Sequence, residues 1–115
     1  MAVSIKELLT KMIELNASDL HIVVGAPPML RINGVLEPLT GYEALRPTET
    51  QELIYSVMTE EQTAEFEKTK ECDLSFGIEG VSRFRLNVYR DRGSVVAAFR
   101  TIPYEIKSFD ELGLP

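Results

Sequence analysis

One cysteine and one histidine in 115 residues leave little material for disulfide bonding or soft-metal chemistry. Cys72 has no internal partner, so no disulfide framework exists and nothing points to an oxidising compartment. A structural zinc site takes four Cys or His ligands, which this chain cannot supply. No apolar run approaches the roughly 20 residues that cross a bilayer. The opening MAVSIKELLTKM lacks the apolar block of a signal peptide, because Lys6, Glu7 and Lys11 interrupt it. The default location is therefore cytosolic. There is no GxxxxGK[ST], so no P-loop, and no GxGxxG, CxxC, HExxH or GxSxG. Internal repeats and low-complexity tracts are absent too. No complete active site is legible in these residues, and a lone His21 in a strand reads more readily as a structural hydrogen-bonder than as a base or ligand. Cys72 alternates with polar residues among apolar neighbours and reads as a small buried hydrophobe.

What is present is a single soluble domain. Hydrophobic residues make up 44% of the chain and mean hydropathy is −0.03, enough for one core at 12.9 kDa. The net charge is −6, which argues against a general nucleic-acid coat. The charge is unevenly spread. Residues 1–80 carry a net −8 and residues 104–115 a net −2, whereas residues 81–103 carry five arginines against Asp91, a net +4.

That cationic stretch, VSRFRLNVYRDRGSVVAAFRTIP, organises the reading. Phe84, Leu86 and Val88 fall on one side of an extended chain, and Arg83, Arg85, Asn87 and Tyr89 on the other. Asp91-Arg92-Gly93 offers a turn, and Ser94 to Thr101 is a second β-prone run ending in Arg100. The pattern predicts a hairpin with an apolar face and an arginine-bearing face. Arginine presents a planar fork of donors suited to phosphate or carboxylate. On alternation alone, a solvated strand face with acidic cross-strand partners explains the same pattern equally well.

Along the rest of the chain, Ser4 and Glu7 have capping-box spacing, and Ile5, Leu8, Leu9, Met12 and Ile13 make an amphipathic helix to about Leu15, with Asn16 as its stop. Leu20, Ile22 and Val24 alternate as a strand, broken by Gly25-Ala26-Pro27-Pro28. Asn33-Gly34 between β-prone runs predicts a two-residue hairpin. Pro47-Thr48 opens a second helix, with Thr48 and Gln51 in capping spacing. Thr59 and Gln62 cap a third, to about Lys70, buried through Ala64 and Phe66, with an acidic solvated face. Cys72, Leu74, Phe76 and Ile78 alternate as a further strand. The order α-β-β-β-α-α-β-β-β predicts an α+β domain, a mainly antiparallel sheet with about three helices on one face.

Five segments in order are also those of a known family: Ala17-Ser18-Asp19-Leu20-His21, then Gly25 to Gly34 (GAPPMLRING), Arg83-Phe84-Arg85-Leu86-Asn87, Phe99-Arg100-Thr101-Ile102-Pro103 and Glu111-Leu112-Gly113-Leu114-Pro115. Together they make the chain resemble the N-terminal domain of type IV pilus retraction ATPases, the PilT family of the secretion-ATPase superfamily. The resemblance covers essentially the whole chain. It implies a PAS-like domain over residues 1–103, with 104–115 starting a linker to a C-terminal RecA-like ATPase domain that would carry the Walker motifs. It implies a cytoplasmic homohexamer at the inner-membrane pilus machine, using ATP and magnesium in the parent protein, with no cofactor expected on this fragment. The implied partners are the ATPase domains of the same and neighbouring subunits and a pilus platform protein in the inner membrane. In that family, arginines of the N-terminal domain reach the nucleotide γ-phosphate when the two domains close. The matching positions are Arg85 and Arg100, with Arg83 the lesser candidate. Arg90 and Arg92 sit at the hairpin tip without such a match and read as solvent or subunit contacts. Ser18, Asp19 and His21 have a structural role at a strand start as readily as a functional one.

Two other readings stand beside this one. A stand-alone PAS-like module for ligand sensing or protein interaction would need no arginine chemistry. Nucleic-acid binding by the hairpin needs exposed aromatic platforms, and of Phe84, Tyr89 and Phe99 the two phenylalanines are predicted to face the core.

Overall fold

A computed structural model describes residues 4–102 of the chain. Helix α1 (Ile5–Glu14) starts where the Ser4 hydroxyl accepts from the Glu7 backbone N–H at 3.1 Å. Only half of the expected capping box forms, because the Glu7 carboxylate accepts from the Tyr42 hydroxyl. Leu8, Leu9 and Met12 are fully buried beneath the helix. Asn16 ends it at φ +57°, a conformation that asparagine tolerates better than most residues.

Strands β1 (Asp19–Ile22), β2 (Met29–Ile32) and β3 (Val35–Pro38) follow. Asn33 and Gly34 take φ of +52° and +82°, the two left-handed positions of the expected two-residue turn. Helix α2 (Pro47–Tyr55) departs from the sequence reading. Its cap is Arg46, whose backbone N–H donates to Glu49 Oε1 at 2.8 Å, and Thr48 lies inside the first turn. Pro47 sets this frame, since its fixed φ and missing N–H suit the first helical position.

Helix α3 (Glu60–Thr69) has the reciprocal Thr59–Gln62 cap, with bonds of 3.1 and 2.9 Å. Phe66 is its one fully buried anchor, while Ala64 is exposed, contrary to expectation. Two residues apart on a helix is roughly 200° around the axis, so both cannot face the core. Strands β4 (Glu71–Ile78), β5 (Ser82–Asp91) and β6 (Ser94–Ile102) complete the elements of the described residues.

The six strands form one antiparallel sheet in the order β3-β2-β1-β6-β5-β4. The long-range step is β1 beside β6, which sets residues 19–22 against residues 97–100. All three helices contribute to one hydrophobic cluster with the apolar side of the sheet, including Leu20, Ile22, Phe84, Leu86, Val88 and Phe99. Phe76 packs on Phe84 and Phe99 at centroid distances of 5.7 and 6.2 Å. The α+β arrangement with helices on one face is thus the expected one. No described helix is long and apolar enough to cross a membrane. The expected linker, 104–115, lies outside the described residues.

Candidate functional site

The pleat turns one face of the sheet away from the helices. Successive strands are in register there, so one row of residues runs Ser75, Arg85, Arg100, Asp19, Arg31, Leu36 across the sheet from β4 to β3. A neighbouring row places Asp73 beside Asn87, then Ala98 and His21. Arg85 and Arg100 are therefore direct cross-strand neighbours, about 5 Å apart at Cβ by general sheet geometry. Like charges placed so are unfavourable unless something offsets them.

Two carboxylates do. Asp73 on β4 binds Arg85 through two bonds, Nε to Oδ1 at 3.2 Å and Nη2 to Oδ2 at 2.9 Å. Asp19 on β1 accepts one bond from Arg100 Nη2 at 3.1 Å. The two pairs differ in setting. The Arg85 and Asp73 side chains are 64% and 54% exposed, whereas Arg100 is 71% exposed and Asp19 only 10%. The hydrogen bond from Arg85 holds the Asp73 carboxyl below the ordinary carboxylate value. Burial acts to raise Asp19, but the neighbouring Ser18 hydroxyl and Arg100 outweigh it and the net shift is downward. The Ser18 hydroxyl also lies 3.4 Å from the Arg31 carbonyl and donates to one acceptor at a time.

Arg83, the lesser candidate, folds across β4 above Gly77 and comes within 3.5 Å of the Ser75 hydroxyl. A Cβ at position 77 would stand 3.1 Å from Arg83 Nη1, so glycine there leaves room for the guanidinium. Arg83 thus lies one row away from the Arg85–Arg100 pair, on the same face. Asp19, Glu71, Asp73, Arg85, Asn87 and Arg100 line an open hollow of about 600 Å³. Among the described residues, no group of three or more His, Cys, Asp or Glu is placed to hold a metal ion.

Three sequence readings change here. Arg90 is not a solvent contact at the hairpin tip: its guanidinium lies 5.4 Å from the Phe66 ring centroid and donates to the Gly93 carbonyl at 2.9 Å, tying β5 to α3. Cation–π packing of this kind fixes the helix against the sheet. His21 is half-buried, and among the described residues its Nε2 has no hydrogen-bond partner, so they do not supply the expected structural hydrogen bond at that nitrogen. Burial lowers its pKa, which Asp19 partly opposes and Arg31 and Arg100 reinforce. Cys72 is half-buried against the core, and burial raises its thiol pKa.

Acidic cross-strand partners were one of the two readings of the arginine face, and the structure supplies them; what the sequence did not name was which acids. Asp73 was visible only as a polar member of an alternating strand. Its signal was parity: Asp73 falls on the side of β4 opposite Leu74 and Phe76, which is the side the arginines occupy on β5. Asp19 was in view as part of the ASDLH motif, but its partner is 81 residues away and depends on the β1–β6 pairing.

Comparison with known proteins now adds the relatives. No family model matches the chain. It is 38% identical over 110 residues to the type IV pilus retraction ATPase PilT of Pseudomonas aeruginosa, a match spanning 96% of this chain and 32% of that protein. It is 36% identical to the type IV pilus ATPase PilU of the same organism, over 96% of this chain and 28% of that one. Its fold superposes on the crystal structure of the pilus retraction motor PilT with bound ADP at a TM-score of 0.85, with 48% identity, 98% of this chain covered and 33% of that chain. The Legionella pneumophila ATPase DotB follows at a TM-score of 0.74 and 26% identity, with 90% and 30% covered. The chain spans about a third of the length of the relatives it matches. These likenesses define a class, the N-terminal α+β domain of PilT- and DotB-type ATPases. Within it, the chain is similar to the PilT and PilU pilus ATPases along nearly its whole length.

Proposed function

We propose that this chain is the N-terminal domain of a hexameric ATPase motor that powers type IV pilus retraction and twitching motility. In this reading Arg85 and Arg100 serve the γ-phosphate of ATP bound by a C-terminal RecA-like domain, which a linker starting near residue 104 joins to the domain of residues 1–103. Arg83 is an auxiliary cation. The observation that carries the reading is the direct cross-strand placement of Arg85 and Arg100 on the sheet face that the helices leave uncovered. A like-charge pair costs stability, and two neighbouring guanidiniums suit an anion with several oxygens.

The arginines fit a phosphate chemically. Both arginine side chains are more than 60% exposed and border one hollow. Magnesium and the P-loop would belong to the ATPase domain. The part played by this chain would be to bring fixed positive charge to the transferring phosphoryl group, where developing negative charge is stabilised by preorganised donors. An arginine on a separate domain also couples nucleotide state to domain angle, because its contact exists only when phosphate and closure coincide. The family likeness supports the wider setting: ATPase domains of the same and the neighbouring subunit as partners, a cytoplasmic homohexamer, and a platform protein at the inner membrane.

In the full-length protein, Arg85→Ala or Arg100→Ala should lower ATP turnover by about tenfold or more, with the unfolding transition of the domain little changed in Arg85→Ala and lowered in Arg100→Ala, which leaves Asp19 unpaired. Steady-state turnover and thermal unfolding of the same preparations measure this. Wild-type turnover in both variants would overturn the role.

A further inference from the structure

Arg85 and Arg100 are held in different ways, and the difference has a mechanistic meaning. Asp73 occupies the Nε–Nη2 edge of Arg85 with both of its oxygens. That edge is one of the two on which a guanidinium makes a bidentate contact with carboxylate or phosphate. Asp19 takes a single nitrogen of Arg100, from a site only 10% exposed, and among the described residues Arg100 makes no other side-chain hydrogen bond. Arg100 is thus anchored at one nitrogen with Nε and Nη1 left for a second acceptor, while Arg85 is docked on a competing anion.

We propose that Asp73 is a positioning residue that acts as a gate, parking Arg85 on β4 and yielding it only to an anion that outcompetes one carboxylate, while Asp19 is the fixed support that keeps Arg100 aimed across the sheet. This deepens the phosphate reading above and rests on it. The anion class is an oligophosphate, whose several charged oxygens can engage Arg100 first and then displace Asp73 from Arg85.

The geometry supports an exchange more than a permanent brace. Both members of the Asp73–Arg85 pair are more than half exposed, so water can solvate each as it leaves. Exposed pairs of this kind contribute little to folding, so opening one costs little. Asp73 also stands on β4, an edge strand of the sheet, so release of its side chain disturbs no neighbour on the outer side. Breaking the Asp19 pair would instead strand a buried carboxylate, which is costly.

The control residue is next in line. Glu71 shares the open face of β4 and the same hollow, yet none of its side-chain oxygens binds an arginine. Glu71→Gln therefore removes one negative charge from the hollow without freeing a guanidinium, whereas Asp73→Asn does both.

The test is a titration of the 115-residue chain with tripolyphosphate at fixed ionic strength, read from the arginine Nε–Hε resonances by NMR. Asp73→Asn should bind at least about threefold more tightly than Glu71→Gln, with Arg85 Nε–Hε the resonance that moves most. Adding Arg85→Gln to Asp73→Asn should erase that excess. Thermal unfolding by circular dichroism checks that each variant is folded, and Asp73→Ser serves if Asp73→Asn is not. Equal affinity of Asp73→Asn and Glu71→Gln would reduce the effect to charge alone and overturn the gate. A gain that survives Arg85→Gln, or no tripolyphosphate binding by any variant, would overturn it too. The motor reading fails separately, on wild-type turnover in the two arginine variants of the full-length protein.

Discussion

The two faces of β5 and β6 are built from the same backbone and are subject to different demands. On one, Phe84, Leu86, Val88, Ala97 and Phe99 are completely buried against three helices. On the other, one residue out of phase, Arg85 and Arg100 stand side by side with acids at their flanks. The apolar face is arranged for stability, since each large side chain removes area from water and fills a close-packed site. The polar face is arranged against it, since two cations are adjacent and one of their two partners, Asp73, is largely solvated. A face that spends stability on a charge arrangement is the one where function is to be sought.

The comparison is sharpest at its strongest point. Phe84→Ala empties a fully buried position between Phe76 and the helices, and should cost about 3–5 kcal/mol. Urea unfolding followed by circular dichroism measures it. A loss below about 1 kcal/mol would mean that this face does not carry the fold, and the contrast between the faces would collapse.

How much of this was legible in the sequence follows from the range of the interactions. The apolar parity of β5, the Asn33-Gly34 turn and the Thr59–Gln62 cap are all local and appear in the structure as read, and so does the α1 stripe except at Ile13, which is exposed. The α2 cap was misread by two residues because Thr48-Gln51 mimics a capping box that Pro47 had already pre-empted. Arg85 and Arg100 were singled out, but the motif alone did not show that they are neighbours. That requires the β5–β6 register. The acids at either side require more: the β4–β5 register for Asp73 and a β1–β6 contact spanning most of the chain for Asp19. Arg90 was assigned to solvent or a subunit contact because nothing local reveals that Phe66 lies beneath it.

A smaller effect tests whether the polar face is uniformly cheap to alter. Asp19→Ala removes a carboxylate that is only 10% exposed and leaves Arg100 without its partner. The expected loss is about 1–3 kcal/mol, between the core substitution and the exposed pair at Asp73. The same denaturant series measures it, with Asp73→Ala beside it as the exposed counterpart. If Asp19→Ala unfolds the domain as readily as Phe84→Ala, Asp19 belongs energetically with the core. If it matches Asp73→Ala, burial of the carboxylate contributes nothing and the proposed difference between the two arginines loses its basis.

The smallest effect is a dependence on pH, and its sign separates the histidine from the acids. His21 is the only histidine, and burial lowers its pKa from the ordinary 6.5. Below pH 6.5 the unfolded chain therefore takes up a proton that the folded chain resists, so stability is full above that value and declines as pH falls through the window beneath it. Asp19 and Asp73 are lowered from 3.8, so their contributions are intact above that value and disappear only as pH falls through their still lower folded values. The two windows do not overlap at their upper ends. A shallow decline in melting temperature should begin below pH 6.5 in the wild type and be flattened in His21→Gln, while the Asp73→Asn profile keeps the wild-type slope there. Persistence of the slope in His21→Gln would show that another group, outside the polar face, takes up the proton.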